Sequence, residues 1–242
     1  MNKRILLTGA SGGIGRNCVK PLLDAGYDLV LHYHNNLELL VEHLDGIKVK
    51  KRIPCLKADL TKEDEVQELF ACIHDTVGPV DILINNAGVS SSGMSWKLSI
   101  DEWNHTLNSN ITTAFLASKH AIPMMRERQW GRIINIASVV AQIGMPGTSA
   151  YAASKSALYG FTRSVAKELA NKNITVNTLS LGYMETGMIE TVTEEFKNEI
   201  IDKIPMKKLG SIDSIVSSIL FLISEESSYI TGQDIGINGG LA

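Results

Sequence analysis

The feature of this sequence that most constrains its fold is the alternation of short apolar runs with longer stretches of helical spacing. Runs of this length, rich in Ile, Leu and Val, are typical of strands that are buried on both faces of a parallel sheet. The sequence therefore predicts an α/β fold, a doubly wound parallel sheet of about seven strands with helices on both faces. The predicted strands are 4–8, 29–33, 49–56, 80–85, 132–137, 175–181 and 234–238.

The stretches between these runs have the spacing of amphipathic helices. Thr61 is a predicted N-cap, with Asp64 three residues later. Pro21 lies inside the first helix and predicts a kink or a lost hydrogen bond there. Because no linker, low-complexity tract or repeat divides the chain, residues 1–242 are predicted to form one domain. The predicted helices are 14–25, 37–44, 61–77, 100–128, 149–171 and 213–224.

The composition is that of an ordinary globular protein. The 242 residues carry a net charge of −3, which gives no electrostatic basis for nucleic acid or an anionic membrane as the main partner. No signal-peptide core follows Lys3 and Arg4, and no apolar run is long enough to span a bilayer. The three cysteines are widely spaced and odd in number, which indicates free thiols in a reducing compartment. We therefore expect a cytoplasmic protein.

A glycine-rich turn, TGASGGIG at 8–15, lies between the first strand and the first helix. The spacing of Gly9, Gly13 and Gly15 is looser than the usual dinucleotide fingerprint. The physical need is the same, since a tight turn brings the backbone and the N–H groups of a helix N-terminus close to a pyrophosphate. A glycine turn without a ligand is the alternative. The position between strand and helix favours the cofactor site.

A second candidate site lies between 135 and 155. Ser138 follows an apolar strand, and Tyr151 and Lys155 are four residues apart, so they share one face of a helix. A cation beside a phenol stabilises the phenolate and eases proton transfer, and a serine hydroxyl can hold the oxygen that receives the proton. An exposed helix face gives the same Tyr/Lys spacing, so this pair alone does not establish an acid/base site.

Taken together, these motifs resemble those of the short-chain dehydrogenase/reductase family. The resemblance rests on TGASGGIG, on NNAG at 85–88, on Ser138 and on Tyr151 with Lys155, and it extends to ITGQ at 230–233 and NGG at 238–240. The region 135–177 is most similar to the β-ketoacyl-acyl-carrier-protein reductases of the family. The resemblance implies a Rossmann-type fold, a nicotinamide cofactor at the carboxyl ends of the strands and reduction of a carbonyl group.

The resemblance also implies a role for individual residues. Tyr151 is the expected general acid, Lys155 the residue that holds the nicotinamide ribose and lowers the tyrosine pKa, and Ser138 the residue that orients the substrate oxygen. Asn110 matches the asparagine that anchors a water linking the lysine to solvent, and Asn108 is the weaker match. The expected cofactor contacts are Gly9, Ser11, Gly12, Gly13, Ile14, Gly15, His34, Asn35, Asp59, Leu60, Asn86, Ala87, Gly88, Tyr151, Lys155, Met184 and Thr186.

The end of the second strand bears on the choice of cofactor. NAD enzymes with such folds usually carry an acidic residue there, which binds the ribose 2′-hydroxyl. This chain has none in 32–35, so His34 and Asn35 are available to an adenosine 2′-phosphate, although Gly12 stands where many NADP-using relatives have a basic residue. The sequence favours NADP(H) over NAD(H). His32 and His34 lack a third ligand nearby, so we expect no metal site.

Two regions bear on the substrate. Leu181 replaces the proline that the family usually has after its sixth strand, which predicts a less rigid turn. Residues 187–208 match the family's substrate lid, in which Met188, Ile189, Val192 and Phe196 have helical spacing and either cover an apolar chain or face the core. Other apolar residues that could line the same pocket are Met94, Trp96, Ile143 and Met145.

Three functions remain open on the sequence alone. The first is reduction of a 3-oxoacyl group on an acyl carrier protein, for which Arg126, Arg128 and Lys172 are candidate contacts to the acidic carrier; unrelated surface charge is the alternative. The second is reduction of a free small-molecule ketone. The third, a non-catalytic nucleotide-binding regulator, is disfavoured by the complete set of catalytic residues. The resemblance also implies a homotetramer assembled through the long central helices and the last strand.

Overall fold

A single sheet of seven parallel strands organises the molecule, in the order β3-β2-β1-β4-β5-β6-β7. This computed structural model describes residues 2–48 and 52–242, without the side chains of Met188 and Thr191. The strand order reverses direction between β1 and β4, which is the arrangement of a doubly wound Rossmann-type sheet, as predicted. The strands are β1 Arg4–Leu7, β2 Asp28–Tyr33, β3 Cys55–Lys57, β4 Ile82–Asn85, β5 Gly131–Ser138, β6 Ile174–Leu181 and β7 Asp234–Ile237.

Helices connect successive strands and cover both faces of the sheet, as the alternating pattern predicted. A π-helical segment, Asn108–Thr112, joins α4 to α5, and a short 3₁₀ helix, Gly187–Thr191, precedes α8. The helices are α1 Gly13–Asp24, α2 Leu37–Gly46, α3 Glu63–Thr76, α4 Ile100–Leu107, α5 Thr113–Glu127, α6 Val140–Ile143, α7 Ser149–Leu169, α8 Glu194–Lys203 and α9 Ile212–Ile223.

The hydrophobic core consists of two layers, one on each face of the sheet. Because successive strand residues point to opposite faces, Ile5 and Leu7 pack with α1 and α9 while Leu6 packs with α3, α5 and α7. All three side chains are buried, and each such aliphatic chain contributes roughly 1.5–3 kcal/mol to stability. The two layers hold the sheet rigid, so that the strand ends form a fixed platform.

Two local predictions from the sequence need correction, the start of α3 and the start of β3. Pro21 lies inside α1, where a proline has no N–H to donate, and the helix continues to Asp24. Helix α3 begins at Glu63 with Lys62 as its N-cap, and not at Thr61, whose N–H and hydroxyl both donate to the carboxylate of Asp59. Strand β3 begins later than predicted, at Cys55, and the first predicted positions, 49–51, lie outside the described residues.

The predicted lid is not one continuous helical stripe. The 3₁₀ helix ends before Val192, which is extended, and Thr193 caps α8 by accepting the N–H of Phe196. This break separates Ile189 from Phe196 on two different elements. Within the described ranges, no helix combines the length and the apolar character needed to cross a membrane.

Candidate active site

A cleft of about 670 Å³ lies across the carboxyl ends of the strands, where the strand order reverses. This volume falls in the range of small-molecule and cofactor sites, roughly 300–1,000 Å³. The cleft brings together sixteen of the predicted site residues. They are Gly9, Ser11, Gly12, Gly13, Ile14, Gly15, His34, Asn35, Asp59, Leu60, Asn86, Ala87, Gly88, Ser138, Tyr151 and Lys155.

The glycine-rich turn forms one end of the cleft. Gly9 has a φ of +63°, and a Cβ there would lie 2.7 Å from the Cα of Ala87, so only glycine fits between β1 and the end of β4. Gly12 is the N-cap of α1, and the N–H groups of the first helical turn have no helical partner. These N–H groups and the helix dipole suit an anion, so the residues present fit the pyrophosphate of a dinucleotide.

The NNAG segment after β4 is fixed to this turn by Thr8. The Thr8 hydroxyl accepts the N–H groups of Asn86 and Ala87, each at 3.0 Å, and donates to the carbonyl of Ile84 at 3.2 Å. The Asn86 amide donates to the carbonyls of Thr8 and Gly9 at 3.0 and 3.1 Å. The two predicted cofactor-binding segments are therefore one hydrogen-bonded unit.

Ser138, Tyr151 and Lys155 meet in the middle of the cleft. Ser138 ends β5, and the other two lie one turn apart on α7. Burial raises the pKa of Tyr151, and a hydrogen bond from Ser138 partly offsets this effect. Burial also lowers the pKa of Lys155 to about 8. The Lys155 ammonium donates to the carbonyl of Ile136 at 2.8 Å and lies 5.9 Å from the centre of the Tyr151 ring. A protonated phenol thus lies beside a serine hydroxyl and a buried cation.

Asn110 lies behind the wall of the cleft, in the π-helical segment that interrupts the helix predicted over 100–128. Its side chain accepts the N–H of Val89 at 2.8 Å and donates to the carbonyl of Val89 at 3.0 Å and to the hydroxyl of Ser154 at 2.8 Å. Gly88 makes this packing possible, because a Cβ there would lie 2.5 Å from Asn110 Oδ1 and 3.3 Å from Lys155 Nζ. The weaker candidate, Asn108, is exposed and accepts a hydrogen bond from Thr112.

The opposite end of the cleft carries the residues predicted to bind adenosine. Ser11 donates its hydroxyl to the carbonyl of Asn35, which ties the glycine turn to the end of β2. Desolvation raises the pKa of Asp59, but the hydrogen bonds from Thr61, together with the charges of His34 and Lys62, hold it below its usual value. Arg16 also lines this end of the cleft, and apart from Lys155 it is the one Lys or Arg among the described lining residues.

Comparison with known proteins places this site in a family. A family model described as enoyl-(acyl carrier protein) reductase matches residues 9–242. The 3-oxoacyl-(acyl-carrier-protein) reductase FabG of Staphylococcus epidermidis is 34% identical over 242 residues, covering 100% of this chain and 99% of that protein. The chain belongs to the short-chain dehydrogenase/reductase family. Nodulation protein G of Rhizobium sp. (strain N33) is 37% identical over 242 residues, with 99% and 97% of the two chains covered. The FabG reductase of Aquifex aeolicus is 35% identical over 238 residues, with 98% and 96% covered.

Three predicted residues of the short-chain reductase site do not line the cleft: Asn110, Met184 and Thr186. The Met184 side chain is buried against Gly210, so of this residue only the backbone remains for a ligand. The Thr186 hydroxyl donates to the Glu190 carboxylate and accepts the side-chain N–H of Asn17. The neighbours of Thr186, Gly187 and Glu190, line the cleft instead.

Leu181, the departure from the usual proline of this reductase family, lies within β6 and lines the cleft. Its carbonyl accepts the N–H of Val139 at 2.7 Å, and the N–H of Gly182 donates to Ile237 at 2.8 Å. Sheet hydrogen bonds on both sides therefore hold the turn that the sequence predicted to be less rigid.

The sequence did not predict some of the residues that line the cleft. Ile136 and Ala137 were interpreted only as strand residues, and Leu181 only as a strand residue and a change in the following turn. Their position at strand ends is the signal that identifies them. Helical side chains lean towards the helix N-terminus, so Arg16, four residues after Gly12, could have been expected over the glycine turn. The remaining unpredicted lining residues are His32, Asn36, Leu39, Thr61, Val89, Ser90, Ser109, Thr113, Gly182, Gly187 and Glu190.

Apolar side chains are exposed around the catalytic end of this reductase fold. The N–H of Gly93 donates to the carbonyl of Gly147 at 2.8 Å, which joins the loop after β4 to the loop before α7. The Tyr183 hydroxyl donates to the Met145 sulfur at 3.4 Å across the same region. The exposed apolar residues that the sequence suggested for a substrate pocket are Met94, Trp96, Ile143 and Met145, on these loops and on α6, and Phe196 on α8.

Of the basic residues suggested as carrier contacts, Arg128 is already engaged. Its guanidinium donates to the carbonyl of Val80 at 2.6 Å and pairs with Asp81 at 3.2 Å. Val80 and Asp81 precede β4, and Lys172 precedes β6, so these residues lie at the amino ends of the strands. The catalytic cleft is at the carboxyl ends. Arg128 and Lys172 therefore do not lie at the mouth of this chain's own cleft.

Proposed function

We propose that this chain catalyses the NADPH-dependent reduction of a 3-oxoacyl thioester on an acyl carrier protein to the 3-hydroxyacyl thioester, in fatty acid biosynthesis or a related pathway. The observation that carries the proposal is the convergence of Ser138, Tyr151 and buried Lys155 on one dinucleotide-sized cleft. The names of the FabG relatives that cover almost the whole chain support the thioester substrate.

In the proposed mechanism, the two hydroxyl groups of Ser138 and Tyr151 hold the substrate carbonyl oxygen. A reduced nicotinamide in the cleft supplies the hydride for the carbonyl carbon. Tyr151 donates its proton to the oxygen as negative charge develops there, which is general acid catalysis. Because burial raises its pKa, Tyr151 is protonated at neutral pH, the state that reduction requires. The Lys155 cation stabilises the phenolate that remains.

The preference for NADP(H) over NAD(H) is part of this proposal. The described residues at the end of β2 that line the cleft, His34, Asn35 and Asn36, include no carboxylate to repel a 2′-phosphate. Arg16 lines the cleft and supplies a positive charge that Gly12 does not. Asp59 remains available to the adenine amino group, as the family resemblance implies.

We also propose a homotetramer and a cytoplasmic location. The cysteines Cys18, Cys55 and Cys72 are free thiols, which suits a reducing compartment. Phe115 on α5 forms an edge-to-face pair with Phe161 on α7, with ring centres 6.4 Å apart. Phe115 is exposed on the chain alone, and its position on a long central helix fits the assembly that the family resemblance implies.

One assay separates the competing reactions. NADPH oxidation is measured with a 3-oxoacyl thioester on acyl carrier protein, with the matching 2-enoyl thioester and with a simple ketone. We expect turnover of the 3-oxoacyl substrate at least about tenfold faster, in kcat/KM, than of either alternative, a difference of about 1.4 kcal/mol. Preference for the ketone would indicate a small-molecule carbonyl reductase. Preference for the enoyl substrate would support the reaction named in the family model's description and contradict ours.

A further inference from the structure

His32 is a buried side chain of the cleft that the catalytic mechanism does not use. It lies near the end of β2, lines the cleft and is 2% exposed. Its Nδ1 lies 3.1 Å from the backbone nitrogen of Gly9, and its Nε2 lies 3.0 Å from the carbonyl oxygen of Ala58. Both ring nitrogens therefore have partners on other segments of the chain.

The chemistry of these partners determines the protonation of the ring. A backbone N–H only donates, so Nδ1 of His32 is the acceptor for Gly9. A carbonyl oxygen only accepts, so Nε2 carries the proton and donates to Ala58. The imidazole is neutral in a single tautomer. It has no free lone pair for a metal, although the sequence pairs it with His34.

The two partners belong to the two segments expected to bind the adenosine half of the cofactor. Gly9 begins the glycine turn in a left-handed conformation. Ala58 directly precedes Asp59 and Leu60, the predicted adenine contacts. The backbone carbonyl of His32 also accepts the N–H of Ala10 at 2.8 Å, so this residue holds the turn by both its side chain and its backbone.

We propose that His32 is a positioning residue for the dinucleotide. It holds two segments, the glycine turn at the end of β1 and the proposed adenine-binding segment after β3, at the separation that the cofactor requires. The proposal rests on the proposed function only in that the cleft binds a nicotinamide dinucleotide. The Gly9 hydrogen bond is the essential one, because it fixes the backbone that faces the pyrophosphate. The Ala58 bond orients the ring so that Nδ1 points at Gly9.

Two substitutions separate the bonds of His32. Asparagine places its side-chain oxygen as many bonds from Cα as Nδ1, so His32→Asn keeps an acceptor for Gly9. Glutamine places its amide nitrogen as many bonds from Cα as Nε2, so His32→Gln keeps a donor for Ala58. His32→Leu removes both bonds. His74→Leu is the control, since His74 is exposed on α3 and does not line the cleft.

The measurement is the dissociation constant of NADPH, from its fluorescence change on binding, with ADP-ribose as a second probe that lacks nicotinamide. We expect the dissociation constants of His32→Asn and His74→Leu for both probes to stay within about threefold of the wild-type values. We expect His32→Gln and His32→Leu to bind both probes at least about tenfold more weakly. With saturating NADPH, kcat for carbonyl reduction should change less than about twofold, because the reacting groups are untouched.

The ranking of the variants decides the proposal, whatever their melting temperatures. An equal loss of NADPH affinity in all three His32 variants would mean that the ring only packs, which would overturn the proposal. Unchanged NADPH affinity in His32→Leu would also overturn it, as would affinity retained in His32→Gln but lost in His32→Asn. If His32→Leu does not fold, the comparison of asparagine with glutamine still decides. Failure of the wild type to bind NADPH or NADH would instead refute the proposed function.

Discussion

Burial gives Tyr151 and Lys155 their proposed chemistry by moving their pKa values in opposite directions. The pKa of the tyrosine rises, which keeps the proton on the phenol, and that of the lysine falls to about 8, which leaves the ammonium mostly charged at neutral pH. A charged lysine in an apolar site is costly, so it is a sign of function rather than of stability. Ser138 partly offsets the rise in the pKa of Tyr151.

His32 also contributes to the pH dependence of the protein's stability. Burial lowers the pKa of His32 from 6.5 to about 4, with a smaller lowering from His34 and smaller opposing effects from Ala58 and Asp59. Between these values the unfolded chain binds more protons than the folded one, so the free energy of unfolding falls as the pH falls. A pKa unit corresponds to about 1.4 kcal/mol, so the loss attributable to His32 reaches about 3 kcal/mol near pH 4.

We therefore expect the stability difference between the wild type and His32→Asn to shift in favour of the variant as the pH falls from 6.5 towards 4. Urea unfolding of both proteins across this range measures the difference. The comparison cancels the contributions that both proteins share, including those of Asp59 and of His43, whose pKa is also lowered. Parallel pH profiles for the two proteins would contradict the assignment of the acid sensitivity to His32.

Among the elements, the π-helical segment Asn108–Thr112 positions the wall behind Lys155. Widened helical turns of this kind occur mostly as single turns and frequently at functional sites. Here the segment turns Asn110 inwards, where its amide holds both backbone groups of Val89 and the hydroxyl of Ser154. Asn108, two residues earlier, stays exposed.

We expect Asn110→Leu to lower kcat/KM at least about 100-fold and to destabilise the fold by roughly 1–3 kcal/mol, because the Val89 N–H and carbonyl lose their partners. Asn108→Leu is the matched control and should change neither quantity appreciably. Steady-state kinetics and denaturant unfolding measure the two effects. Equal effects of the two substitutions would show that the hydrogen bonds of Asn110 to Val89 and Ser154 contribute to neither kcat/KM nor stability.

The helices and strands could be predicted where the residues that determine them are close together in the sequence. Apolar runs such as 132–137 and glycine turns such as 8–15 carry their own signals, and the structure has β5 and the start of α1 there. The π segment was missed because Asn110 bonds to Val89, a partner 21 residues away. Thr61 was misread as a cap because its hydroxyl prefers the adjacent Asp59 carboxylate.

The site was predictable for a different reason. Most of the sixteen correctly predicted lining residues come from two short motifs at strand ends, which a doubly wound sheet brings together. Arg16, Glu190 and His32 were not predicted, because their place in the cleft depends on how α1, the 3₁₀ helix and β2 pack in three dimensions. Met184 shows the opposite error, since tertiary packing buries its side chain against Gly210.

In the whole molecule, the exposed side chain of Phe115 on α5 is a candidate contact between subunits of the proposed homotetramer. We expect the protein to run as a homotetramer in light scattering coupled to size exclusion, and Phe115→Glu to shift it to smaller species by placing a charge in an apolar contact. Val41→Glu, a similarly exposed site on α2, should leave the size unchanged. A tetramer that tolerates Phe115→Glu would exclude this helix face from the interface.

Tyr151 is the proposed proton donor in the reduction of the 3-oxoacyl thioester. Tyr151→Phe keeps the ring and removes only the hydroxyl. The decisive measurement is kcat/KM for the 3-oxoacyl-carrier substrate in wild type and Tyr151→Phe, with the NADPH dissociation constant of each. We expect activity to fall at least about 1,000-fold, within the range typical of general acid catalysis, and NADPH binding to change less than about threefold. Activity within tenfold of wild type, with NADPH binding intact, would contradict the account.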